Sequence, residues 1–232
     1  MIVQCTRWNK TTEELEYSMK KGIIFDVDGT LWDACEVVAE SWNEYLEKEA
    51  KDVPVHLTEQ DLRRVMGKTM TQIGDALFPM VEPGRRAEVT EGCCVYEVDY
   101  LKRVRGGTVY PHVREIMERL SGTYHLYIVS NCQEGYIEDF IQWAGVGDLI
   151  EDFESFGNTG LEKYENIRLV VERNGLDSAV YVGDTQGDYE STCRAGLPFL
   201  HARYGFGKVD ESLPYINDLE ELPAAVEKII GK

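Results

Sequence analysis

The sequence predicts an α/β fold, a mainly parallel sheet with helices on both faces, into which an all-helical subdomain is inserted. Three observations lead there. The stretch Gly22-Ile23-Ile24-Phe25-Asp26-Val27-Asp28-Gly29-Thr30-Leu31 opens on near-continuous apolar residues before a glycine turn, the pattern of a strand buried on both faces. Residues 34–107 carry helical periodicity and no strand candidate. From Tyr110 onward strands and helices alternate, which implies right-handed crossovers and a parallel sheet covered on both sides.

Taken in order, residues 1–18 are polar and form an N-terminal extension that Leu15 and Tyr17 could dock. After the first strand Asp33 is placed to cap a helix, in which Val38, Trp42, Tyr45 and Leu46 recur at three-to-four spacing. Thr58-Glu59-Gln60-Asp61 opens a second helix in a capping-box arrangement. A turn at Gly67 precedes a third over TQIGDALF, and Pro83, suited to a first helical position, starts a longer one ending near Val104. PHVREIMERLSG then reads as a helix from Pro111 to Gly122. YHLYIVSN is a strand, EGYIEDFIQWAGV a helix and FESFG a short strand. EKYENIRLVVERNG is an amphipathic helix with Ile167, Val170 and Val171 on one side, closed by Gly175. SAVYVGD, YESTCRAG, PFLHA and DLEELPAAVEKII complete a strand–helix–strand–helix series. The division that follows is an extension over 1–18, a core over 19–33 and 108–232, and a helical insert over 34–107.

Composition narrows the function. A formal charge of −18 and a pI near 4.6 repel nucleic acid and anionic membrane surfaces. An anionic substrate would need local positive charge or a metal to overcome that field, which favours a metal site. The N-terminus lacks the apolar segment of a secretory signal, and no run reaches the length of a membrane span. The 6 cysteines show no CxxC and no zinc-like spacing, so reduced thiols in a cytoplasmic protein are expected.

Three strands end in polar residues: Asp26-x-Asp28, Ser130-Asn131, and Gly183-Asp184-Thr185-Gln186-Gly187-Asp188, with Lys163 opening a helix between the last two. In a parallel sheet such ends share one edge, where ligand chemistry collects. Singly each has an ordinary reading: Asp28-Gly29 as a hairpin turn, Asp184 as a helix cap, Ser130-Asn131 as turn chemistry, Lys163 as a solvated lysine beside Glu162 and Glu165. Together their chemistry is complementary. Asp26, Asp184 and Asp188 offer the hard oxygen ligands that Mg²⁺ takes alongside a phosphate. A carboxylate can attack a phosphoryl group, and Mg²⁺ would relieve the repulsion between the two anions. Ser130 and Lys163 can hold phosphoryl oxygens, and Asp28 can shuttle a proton.

In these motifs, FDVDGTLWDA, IVSN, Lys163 and YVGDTQGD, the chain resembles the haloacid dehalogenase-like (HAD) hydrolase superfamily from Lys21 to about Gly207, and its helical insert looks like the cap of the phosphoglycolate-phosphatase and phosphomutase-like branch. The resemblance implies a Rossmann-like core, Asp26 as nucleophile and Asp28 as general acid/base. It implies phosphoryl binding by Ser130, with its neighbour Asn131, and by Lys163, and Mg²⁺ held by Asp26, the Asp28 main-chain carbonyl and Asp184, with Asp188 as ligand or support. Many members of that branch place Pro directly after the lysine, where this chain has Tyr164, yet Lys163 is the sole lysine between Arg119 and Lys208.

The second aspartate argues for phosphoryl transfer over dehalogenation, because halide leaves without a proton. The expectation is a Mg²⁺-dependent phosphatase acting on a small phosphorylated metabolite through an aspartyl-phosphate. A phosphomutase of the β-phosphoglucomutase type is the alternative enzyme, and a non-catalytic phosphate-binding regulatory protein the alternative outside catalysis. Of the basic residues in the insert, Arg63, Arg64, Lys68, Arg85 and Arg86, the turn Gly67-Lys68-Thr69 makes Lys68 the preferred substrate contact. Trp32 fits the cleft and the core equally well, and Arg203-Tyr204-Gly205-Phe206-Gly207 follows a strand that could border the site.

Overall fold

The structure, a computed structural model, describes residues 19–210 and 212–231. The extension assigned to 1–18 lies outside them. The elements run β1 (Lys21–Phe25), β2 (Trp32–Asp33), α1 (Cys35–Glu49), α2 (Glu59–Arg63), α3 (Met70–Leu77), α4 (Pro83–Arg103), β3 (Thr108–Val109), α5 (Val113–Ser121), β4 (His125–Ser130), α6 (Tyr136–Ala144), β5 (Ile150–Ser155), α7 (Phe156–Thr159), α8 (Lys163–Arg173), β6 (Ser178–Gly183), α9 (Gln186–Ala195), β7 (Phe199–Ala202), β8 (Tyr215–Ile216) and α10 (Leu222–Ile230).

Six strands form one sheet in the order β5-β4-β1-β6-β7-β8, all parallel. The first strand of the chain is therefore an inner strand, flanked by β4 and β6, and Phe25 pairs with Ile128 on one side and Val182 on the other. Its alternation distributes the core: Ile23 and Phe25 join one apolar cluster, Ile24 the opposite one with Tyr127, Tyr181, Ile167 and Val170 of α8. Each such fully buried aliphatic or aromatic side chain contributes about 1.5–3 kcal/mol. Among the described residues no helix is long and apolar enough to cross a membrane.

Helices α1 to α4 occupy the chain between β2 and β3, and they pack mainly through α1 against α4 and α2. A feature not anticipated from the sequence is that β2 and β3 pair antiparallel, Trp32 with Val109 and Asp33 with Thr108, a two-stranded ladder at the base of the insert. Two boundaries also differ. Helix α5 starts at Val113, because His112 adopts a left-handed conformation (φ 66°) that breaks the helix expected from Pro111. Strand β5 begins at Ile150 and stops at Ser155, whose side chain caps α7, so Phe156 and Gly157 are helical.

Candidate active site

The pairing register brings three strand ends together: Asp26 follows β1, Ser130 ends β4 and Asp184 follows β6, with the Asp26 amide tied to Val182 O at 2.9 Å. From α8, which packs across the sheet, Lys163 reaches over the same edge. It is no solvated lysine: at 3% exposure its ammonium donates to Asp26 Oδ1 at 3.0 Å and to Asp188 Oδ1 at 2.5 Å. Burial works against that ammonium, but Asp188 and Asp26 outweigh it and hold Lys163 above its ordinary pKa. Asp188 is saturated on its other oxygen, which accepts from the Thr185 amide (2.9 Å) and hydroxyl (2.7 Å) in the capping box that starts α9.

Asp184 is fully buried. Its Oδ2 accepts from the amides of Phe206 (2.7 Å) and Gly207 (3.1 Å), so the loop after β7 borders the site through its backbone. His201 Nε2 lies 3.2 Å from Asp184 O. Gly29, at φ 79°, passes so close that any Cβ would overlap the Asp184 carboxylate, a position that only glycine fits.

Asp26, Asp184 and Asp188 each place a carboxylate oxygen within 4.8 Å of the others. Asp26 Oδ2 and Asp184 Oδ1 are buried and, among the described residues, without a hydrogen-bond partner. Two bare, buried carboxylate oxygens are costly unless a cation takes them. The strain registers in their protonation: burial, then Asp188, push Asp26 up to about 6 against the pull of Lys163, and burial with Asp188 and Asp26 raises Asp184 well above the carboxylate range. An oxygen-only set of this kind fits Mg²⁺: Asp26 and Asp184 offer the bare oxygens, while Asp188 is engaged in holding Lys163.

Asp28 stands apart from that cluster. Its Oδ1 accepts from Tyr136 Oη at 2.7 Å and Trp32 Nε1 at 3.1 Å. Burial pushes its carboxyl up to about 7, opposed by the Tyr136 and Trp32 hydrogen bonds. Trp32 is thus a core residue with its indole N–H on the site.

Asp26, Asp28, Ser130, Asn131 and Lys68 line one small chamber under the insert. Asn131 donates from Nδ2 to Gly67 O at 2.9 Å, joining the end of β4 to the turn that carries Lys68. The chamber adjoins a cleft of about 890 Å³ between insert and core, lined by Lys68, Lys163 and Thr185 among others. Arg85 and Arg86 are instead spent on Asp52, Glu88 and Asp75, and Arg64 on Asp61. Arg63 pairs with Asp33 and stacks on Phe206 (4.9 Å), linking the insert to the loop that holds Asp184.

A model of the haloacid dehalogenase-like hydrolases matches residues 23–202. The chain belongs to that family. Among the relatives of this HAD-like hydrolase, a protein of Aquifex aeolicus named phosphoglycolate phosphatase is 28% identical over 199 residues, covering 83% of this chain and 89% of that protein. One of Rhodospirillum rubrum is 25% identical over 205 residues, 82% of each chain. In fold it is similar to a haloacid dehalogenase-like family protein of Streptococcus pneumoniae, with a TM-score of 0.74 at 20% identity, covering 89% of this chain and 98% of that one.

Sequence reading of this HAD-like hydrolase missed a further chamber residue, Glu97 of α4. It is buried, accepting from Trp42 Nε1 (2.5 Å) and Gln133 Nε2 (2.9 Å), and burial pushes its carboxyl up to about 7. It looks like any polar residue of an amphipathic helix, and its partners lie 55 and 36 residues away. Its one signal in the sequence is position, one helical turn from Cys93 and Cys94 and so on their face of the helix.

Proposed function

We propose that the protein is a cytoplasmic, Mg²⁺-dependent phosphatase that hydrolyses a small phosphate monoester through an aspartyl-phosphate on Asp26. The observation that carries the reading is the division of labour at the end of β1: Asp26 lies against Lys163 with one oxygen bare, while Asp28, two residues on, is set apart among aromatic donors.

In this reading the ammonium of Lys163, the Ser130 hydroxyl and the Asn131 amide hold the phosphoryl oxygens, and Lys163 orients Asp26 for in-line attack. Asp26 forms the bond to phosphorus as the ester oxygen departs, and Asp28 gives that oxygen its proton. Asp28 then takes a proton from water as the water attacks phosphorus and Asp26 is released. When bound by Asp26, the Asp28 main-chain carbonyl and Asp184, Mg²⁺ supplies charge neutralisation for the approach of a carboxylate to a phosphate. Residues 34–107 serve as a cap over a core of 19–33 and 108–232, excluding water and presenting Lys68 to the leaving group.

The names of the relatives make 2-phosphoglycolate the first candidate substrate. The test is phosphate release from p-nitrophenyl phosphate and from a metabolite panel led by 2-phosphoglycolate, with Mg²⁺ and with EDTA. Turnover is expected with Mg²⁺ alone, and Asp26→Asn should abolish it while the melting transition persists. Substantial turnover by that variant removes Asp26 as nucleophile, and hexose-phosphate isomerisation without phosphate release would place the protein among the mutases.

A further inference from the structure

Resting on the reading of Asp28 as the proton donor, we propose that Trp32 and Tyr136 are positioning residues that pin Asp28 Oδ1 and present Oδ2 to the leaving oxygen. Both donors meet the same oxygen, Tyr136 Oη at 2.7 Å and Trp32 Nε1 at 3.1 Å. They arrive from different parts of the chain, one from β2 four residues after Asp28, the other from the first turn of α6, 108 residues away.

Neither ring has room to turn. Trp32 and Tyr136 are buried and meet edge to face at 5.5 Å, and Phe140 braces Trp32 from one turn along α6 at 5.3 Å. The backbone is fixed as well, since Gly29 N donates to Trp32 O at 2.9 Å and closes the turn that carries Asp28. Phenylalanine at position 136 would fill the same core without a polar group to satisfy, so the Tyr136 hydroxyl, and with it the Trp32 N–H on the same oxygen, serves the carboxylate.

An oxygen that already accepts two hydrogen bonds is a poor seat for a proton. The transferable proton therefore sits on Oδ2, the oxygen left to the chamber that Asp28 lines. In the first half-reaction an Asp26 oxygen bonds to phosphorus, the bond from phosphorus to the ester oxygen breaks, and the proton on Oδ2 moves to that oxygen. A carboxyl free to rotate would offer the proton in the wrong direction part of the time.

The two donors should therefore matter in proportion to how much the leaving group needs a proton. The experiment measures kcat/KM, which covers the chemistry through departure of the leaving group, for p-nitrophenyl phosphate, phenyl phosphate and 2-phosphoglycolate with Mg²⁺. The proteins are the wild type, Tyr136→Phe, Trp32→Phe, Asp28→Asn and the Asp28→Asn/Tyr136→Phe pair. Each single aromatic variant should lose about tenfold or more on phenyl phosphate and 2-phosphoglycolate and little on p-nitrophenyl phosphate, whose phenolate departs unaided. In the Asp28→Asn background Tyr136→Phe should add no further loss. Tyr136→Phe keeps its ring against Trp32, so it carries the test by itself should Trp32→Phe not fold.

Equal losses on every probe, or a full additional loss in the Asp28→Asn background, would make the two aromatics structural only and overturn the clamp. A folded wild type that turns over no probe overturns the phosphatase reading and the clamp with it.

Discussion

Glu97→Gln should stabilise this protein at alkaline pH, although it removes a carboxylate that is fully engaged in hydrogen bonds. In the folded chain the Glu97 carboxyl is pushed from its ordinary 4.5 to about 7, chiefly by burial, with Asp139 adding to the push and Trp42 and Gln133 resisting it. A raised acid favours the folded state while it is protonated, so its contribution is complete below about pH 4.5 and is lost as the pH climbs through about 7. At about 1.4 kcal/mol for each pH unit of that window, the full loss amounts to about 3.5 kcal/mol, of which about 3 kcal/mol falls above pH 5. Glutamine keeps an oxygen for Trp42 and has an amide that can meet Gln133 the other way round, and it carries no charge to bury. For a chain of this length 1 kcal/mol is worth about 2–4 °C, so the wild-type melting temperature should fall by roughly 6–12 °C relative to the variant between about pH 5 and about pH 8. Thermal unfolding in EDTA across that range reads the difference directly. Two curves that stay parallel, or a variant that weakens more at the alkaline end, would refute the reasoning.

Two other perturbations follow from contacts around the carboxylates. Gly29→Ala forces a side chain into a left-handed turn and onto the Asp184 carboxylate, and should cost about 1–3 kcal/mol in the melt and most of the activity by displacing Asp184. A variant with wild-type turnover would show that the turn yields without moving Asp184. Arg63→Ala removes the pair with Asp33 and the stack on Phe206; with a third of the side chain exposed, stability should drop by only about 1 kcal/mol. Steady-state kinetics should show the larger effect in KM, since the contact joins the insert to the core, and an unchanged KM would confine Arg63 to the surface.

The fold class was legible because its signal is local. An apolar run such as Ile23 to Phe25 marks a doubly buried strand, and alternating strands and helices leave one sensible handedness for the crossovers. Asp26, Ser130 and Asp184 were legible as neighbours for the same reason, because parallel strands deliver their ends to one edge; Lys163 and Asp188 join them from the first turns of α8 and α9. What escaped depends on pairings across the fold. Tyr136 on Asp28, Glu97 between Trp42 and Gln133, and the Phe206 and Gly207 amides on Asp184 are hydrogen bonds between residues whose types carry no mark of the partner. The left-handed His112 was hidden too, because Pro111 offered a better helix start than the one taken. Two-residue strands such as β2 and β3 are too short for any periodicity to show.

That short ladder has a consequence for how such a chain can change. With Trp32 beside Val109 and Asp33 beside Thr108, the two ends of the insert leave the core one strand spacing apart, about 5 Å. The distance resembles that across a tight hairpin, so the sheet would be indifferent to whether two residues or a whole helical bundle fills the gap. In the proposed function, specificity for the leaving group would thereby be housed in a replaceable cassette, while the carboxylates proposed to handle phosphate stay at strand ends that never register the exchange.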